Sequence, residues 1–357
     1  MGRRSRKSKR KVNSLLLPLL LTAIMLIMST YAWFTANRVV TINGISAHVT
    51  VAEGLQISLD GENWSSSIDA TPTTLGALGQ LTGSGGTINV NNWQWPSDLV
   101  PVSTDGTLAD GLPLFKYGDI STDGKVLSNI NGYTPVYNTG TTAGTGSKLI
   151  IFDAYLRNTS STTNPDTLQL GNGTKVEIDT ENGGVTGTGL ENSTRVGVLL
   201  YDSTVPTSAQ DQYTICNLSV GTGKFAIWEP NFTSHISDTV EMDDRLDATG
   251  DEFVTRAIAR STGTSIADVI DVSKADTTNL KEVATTTSPT GSLNADLTLN
   301  DANTSSGTLT LAKNAVSKVK LYIWLEGQDP DCNDFASAGG QVKYTIKFTK
   351  PAATTGG

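Results

Sequence analysis

Two runs of oxygen-bearing side chains are where this chain could do chemistry. Glu241, Asp243, Asp244 and Asp247 fall in one short stretch, and Asp329, Asp331, Asn333 and Asp334 in another. Hard cations take several such oxygens from loops, so calcium is the cofactor these spacings suit. Neither run is an EF-hand. Counted from Asp329, the sixth position is Asp334 where glycine is required, and the twelfth is Gly340 where glutamate is. An ordinary solvated acidic loop is the plainer account of both.

Catalytic constellations are missing. The two histidines are His48, in a strand-like stretch, and His235, among polar loop residues. The HExxH pattern of zinc proteases does not occur. Gly263-Thr-Ser-Ile-Ala267 lacks the last glycine of a nucleophile elbow. Gly221-Thr-Gly-Lys224 runs into Phe225, where a phosphate loop needs Ser or Thr. Paired carboxylates for glycoside hydrolysis leave no mark in linear spacing. The chain is therefore read as a non-enzyme. Cys216 and Cys332 are too far apart for a CxxC redox or zinc motif. One disulfide, or two separate thiols, are both open readings in an oxidising compartment.

The elements around these residues begin with an address. Seven of the 26 Lys and Arg residues stand before Leu15, and Leu15 to Phe34 carries no charge. Such a run, about 20 residues, is long enough to cross a bilayer. The basic tip would stay in the cytoplasm and the rest would be exported. Tyr31 and Trp33 sit where an outer aromatic belt would be. Residues 1–34 are thus an export signal or membrane anchor. The strongly apolar part has signal-peptide length, and the small residues Ser29 and Ala32 suit cleavage. Beyond the tip, 19 basic residues face 35 acidic ones, a net charge of −16. An acidic body argues against nucleic acid, which needs a basic footprint.

After Arg38 the periodicity is that of strands. Val39-Val-Thr-Ile42, Ile45-Ser-Ala-His-Val-Thr-Val51 and Leu55-Gln-Ile-Ser-Leu59 open the series. Strands are predicted at 148–157, 168–170, 175–178, 194–201, 225–228, 307–311, 316–325 and 341–348. The last alternates cleanly, with lysines on one side, and reads as an edge strand. Glycine-rich turn pairs fill 61–147, where Trp93, Trp95, Phe115 and Tyr117 would pin a long looped stretch to the body. Residues 234–300 read as a second insertion with one or two short helices, and 351–357 as a flexible tail. The expected fold is all-β: a single antiparallel sandwich over 35–350, preceded by an N-terminal hydrophobic helix.

Tyr31-Ala-Trp-Phe-Thr-Ala-Asn37, ending an export segment and running into strands, resembles the TasA/camelysin group of exported Gram-positive surface proteins. Tyr322-Ile-Trp-Leu-Glu-Gly-Gln-Asp-Pro-Asp-Cys-Asn-Asp334, followed by Gly339-Gly340 and a terminal strand, is similar to a C-terminal signature of such proteins. Phe152-Asp-Ala-Tyr-Leu-Arg-Asn158 and Arg195-Val-Gly-Val198 are similar to their core strands. The resemblance implies a jelly-roll-like sandwich, a signal processed by a dedicated signal peptidase, and a role in a cell-surface fibre or biofilm matrix. It also implies homopolymerisation by donor-strand complementation, here with Val39, Val40, Ile42, Ile45, Ala47, Val49 and Val51 as the donor residues. The alternatives are that this strand pairs within its own chain, and that the protein is a monomeric membrane-anchored adhesin or binding module. Exposed Trp93 and Trp95 would favour the adhesin.

Overall fold

A computed structural model describes residues 40–41, 44–96, 98–104, 108–120, 126–133, 135, 148–161, 164–205, 212–219, 224–228, 230, 269–271, 297–298, 310–327, 332 and 340–350. Residues Val39–Gly357 form one compact unit. Its main strands are β1 (Gly44–Val51), β2 (Leu55–Ser58), β3 (Ser67–Ala70), β4 (Phe115–Ile120), β5 (Val126–Tyr133), β6 (Ile150–Asn158), β7 (Lys175–Ile178), β8 (Thr194–Thr204), β9 (Lys224–Trp228), β10 (Val316–Leu325) and β11 (Gln341–Thr349). Two one-turn helices, α1 (Pro72–Gly76) and α2 (Gln212–Cys216), fall where sequence periodicity predicts none.

Two sheets carry the fold. The first has the order β9-β8-β10-β6-β2, all antiparallel. In the second, β11 lies between β1 on one side and β7 and Gln169–Leu170 on the other, with β3 beyond β1. The β1–β11 pair is parallel, so the second sheet is mixed rather than purely antiparallel. Inward residues of both sheets share one apolar core. Phe152, Ala154, Val196, Val198, Leu321 and Ile323 come from the first sheet, and Ala47, Val49, Tyr344, Ile346 and Phe348 from the second. This is a two-layer, sandwich-like all-β body, in which each sheet buries a face against the other.

The edge-strand expectation for β11 is overturned. β11 is interior, paired along both sides. Its alternation comes from burial on one face only. Val342, Tyr344, Ile346 and Phe348 are buried, while Gln341, Lys343, Thr345 and Lys347 are partly exposed. Period-2 patterning reports which face meets water and says nothing about whether an edge is open.

The 61–147 stretch does more than loop. It supplies β3 to the second sheet and covers the outer face of the first, where Phe115 stacks on Tyr322 at 5.8 Å and meets Trp324 edge-on at 5.2 Å. Trp93 and Trp95 are buried, and Trp95 lies 6.1 Å from Phe152. The aromatics thus do pin this stretch to the body. In the second insertion, Val269–Asp271 is a strand paired with β5. The helical reading of 251–260 lies outside the described residues.

Candidate functional site

The N-terminal strand fills a slot. β1 runs parallel to β11 over its full length, from Gly44 opposite Gln341 to Val51 opposite Phe348, and its other edge is antiparallel to β3. Its alternation sets the orientation. Ala47 and Val49 are buried in the common core, and Ile45 and Val51 pack against it from partly buried positions. His48 faces outward, with Nδ1 2.5 Å from Asp69 Oδ1 on β3. A tight turn, closed by Leu55 N–H donating to the Ala52 carbonyl at 3.0 Å, leads from β1 into β2 of the opposite sheet. Gly54 takes φ +81° there, a left-handed conformation that glycine adopts without strain. Upstream, Val40 pairs with Leu99, while Val39 and Ile42 lie outside the described residues. Of the seven donor-strand residues, four are thus brought together, seated in the sheet of their own chain.

A second site has no counterpart among the sequence motifs. On the outer face of the first sheet, Asp153 of β6 stands directly opposite Lys320 of β10. Its carboxylate accepts a hydrogen bond from the Lys320 ammonium through Oδ1. Lys318 Nζ lies 3.6 Å from Oδ2, and the Asn92 N–H donates to the same oxygen at 3.1 Å. Asn91 closes the site from above. Its Oδ1 accepts the Asp153 N–H at 2.8 Å, and its Nδ2 donates to the Leu59 carbonyl at 3.0 Å. Side-chain exposure is 0% for Asp153, 3% for Lys320 and 6% for Lys318.

Water is kept out by apolar groups on both sides. Ile151, Tyr322 and Trp324 belong to a cluster with Phe115 and Phe225, and Tyr155 and Val316 to one with Val90, Ile215 and Cys216. Lys318 Nζ sits 5.3 Å from the Tyr201 ring centre and 5.9 Å from that of Tyr155, within cation–π reach. Burial pushes the Asp153 carboxyl up, but the charges of Lys320 and Lys318 and the hydrogen bonds from Lys320 and Asn92 outweigh it. The carboxyl is held below its ordinary value. Burial pulls Lys318 down, and Asp153 only partly restores it. The sequence signal for this site is the charge at Asp153, the one acidic residue in a run, Leu149–Leu156, that is otherwise apolar.

The cysteines do not form a disulfide. Cys216 is buried against Tyr155 and Val316 on the outer face, whereas Cys332 packs against the common core. The two-thiol reading is the one the structure has. Burial raises the Cys216 thiol to about 11, and its Sγ lies 3.2 Å from the Asp60 carbonyl. The calcium candidates Glu241, Asp243, Asp244, Asp247, Asp329, Asp331 and Asp334 lie outside the described residues, as do His235 and the apolar run 15–34. Among the described residues no helix is long and apolar enough to cross a membrane, and no group of three or more His, Cys, Asp or Glu is placed to hold a metal.

No protein-family model, curated protein or solved structure matches the chain.

Proposed function

We propose that this chain is an exported structural protein of the TasA/camelysin type, a subunit of a cell-surface fibre or matrix filament whose copies join by exchanging the N-terminal strand. The observation that carries the reading is the seating of β1: an interior strand, paired on both edges, and the first long strand among the described residues after the apolar run 15–34. Its partner β11 lies at the far end of the described residues, so no hairpin enforces their pairing. A second copy of β1 would offer the slot the same backbone groups and the same four apolar side chains. The Ala52–Gly54 turn is then the hinge on which the strand leaves its own sheet. Domain swapping of this kind is a low-cost route to assembly. An open chain of such exchanges, each slot filled by the next copy, makes a filament.

Export through the cytoplasmic membrane, with residues 15–34 engaging it at least until signal peptidase acts, belongs to the same proposal, as does a jelly-roll path for the sandwich. A non-catalytic role is in keeping with the absence of sequence motifs for a nucleophile, base or metal. Calcium in the two acidic runs would brace the loops that carry them. A melting temperature raised by calcium over EGTA is the expected sign, and an unchanged one removes calcium from the proposal.

The test is a cysteine pair at His48 and Asp69, residues directly opposite on β1 and β3, in a chain starting at residue 33 with Cys216 and Cys332 changed to Ala. Strand exchange predicts filaments by negative stain and a ladder of covalent oligomers on oxidation. Monodisperse particles and an oxidised monomer would instead support the anchored binding module. Burial of Trp93 and Trp95 already removes the exposed aromatics that favoured that alternative.

A further inference from the structure

We infer that Asp153 and Lys320 condense to a side-chain amide, a covalent cross-link between the two neighbouring strands β6 and β10. The inference does not rest on the fibre reading and holds or fails for a single folded chain.

The reaction needs only what the site contains. Lys320 first passes one proton to Asp153 Oδ1; the neutral amine then attacks Cγ, the Nζ–Cγ bond forms and the Cγ–Oδ1 bond breaks. Two of the three ammonium protons leave with Oδ1 as water, and the third stays on the amide nitrogen. An ammonium and a carboxylate thus become one amide and one water, with no oxidant, nucleotide or second enzyme. Oδ1 is the oxygen that faces Lys320, so the oxygen that departs is the one beside the proton source. Oδ2 becomes the amide carbonyl. It carries the negative charge in the tetrahedral intermediate, and its partners are in place: the Asn92 N–H donates at 3.1 Å and the Lys318 ammonium charge lies 3.6 Å away. Such preorganised donors are the arrangement that lowers acyl-transfer barriers.

Three features favour the amide here over the ion pair. The partners are directly opposite on adjacent strands, so folding itself brings amine and acid together. In water the charged forms are held apart from condensation by their hydration. This site removes that hydration and gives little room for the water that would reverse the step. A buried ion pair also carries a desolvation cost that a neutral amide does not. Lys318 explains why there are two lysines for one carboxylate. It is the cation that remains, held between the new carbonyl and the faces of Tyr201 and Tyr155.

Mass spectrometry of the purified full chain, denatured and reduced, decides the matter. The expected result is a chain lighter than its sequence by one water. Proteolysis should yield a branched peptide joining the segments around Asp153 and Lys320, with no tryptic cleavage after Lys320. Lys320→Arg keeps the charge but has no amine to condense, so it should restore the full mass and the two linear peptides. Recovery of both linear peptides from the wild-type chain would overturn the proposal. So would a water loss that persists in Lys320→Arg, which would place the dehydration elsewhere. The wild-type peptides are sufficient on their own even where the variant folds poorly.

Discussion

Ala47 and Tyr344 stand directly opposite each other across a parallel ladder, one on β1 and the other on β11, the last strand among the described residues. Both are buried, and both project into the core that the two sheets share. The N-terminal strand is therefore part of the core and not a covering added to it.

Shortening an inward residue of β1 should loosen the whole body. Val49→Ala removes buried methyl groups beside Ile346 and should cost about 2 kcal/mol in chemical denaturation. Val205→Ala, at a residue 53% exposed, should stay within about 0.5 kcal/mol. Equal effects at the two positions would mean that β1 does not occupy its slot in solution.

Asp153→Ala should be among the most damaging single changes. It leaves both Lys318 and Lys320 as buried ammoniums with neither the carboxylate nor its amide beside them, and uncompensated buried charge of this kind costs about 3–5 kcal/mol. A wild-type-like melting curve for this variant would show that the site is open to water.

Acid sensitivity should trace in part to Asp60. Its burial raises the carboxyl, but hydrogen bonds from the N–H groups of Asn63 and Glu62 and from the Asn63 and Ser58 side chains hold it below the ordinary value. A depressed carboxyl stabilises the fold above its unfolded-state value, and that contribution is lost as pH falls through the folded-state value. Asp60→Asn should flatten the fall in stability below about pH 4. An unchanged slope in the variant would move the acid response to other groups.

Cys216 should resist thiol reagents while the chain is folded. Its thiol is buried and raised to about 11, so little thiolate exists at mildly alkaline pH. Labelling should appear on unfolding. Raising the pH from about 9 toward 11 should also destabilise the fold, because the unfolded thiol ionises first. Rapid labelling of native Cys216 at pH 8 would contradict this placement.

Most strands are legible in the sequence because burial on one or both faces imposes a period. The pattern marks β7 and β10 at their observed bounds, and β6 and β8 to within a few residues. Partnering is not legible. β10 and β11 each carry two lysines among apolar residues. In β11 they mark a face that water reaches. In β10, Lys318 and Lys320 are covered, because Asn91, Asn92 and the aromatic clusters close over them. Side-chain order within a strand cannot tell a wet face from one covered by a distant segment. α1 escapes a periodicity reading for a similar reason. A single turn has no period, and its signal is local: Thr71 caps the turn and exchanges hydrogen bonds with Thr74, with Pro72 in the first turn.

The parallel pairing of β1 and β11 also fixes how the molecule would respond to tension. Gly44 and Gln341 lie side by side, and so do Val51 and Phe348. A pull applied through the segment before Gly44 and the segment after Thr349 would draw the two strands past each other along their length. The ladder between them would then resist as a set of bonds strained together, instead of opening one at a time from an end. A polymer linked through these two segments would be stiff under stretch for that reason.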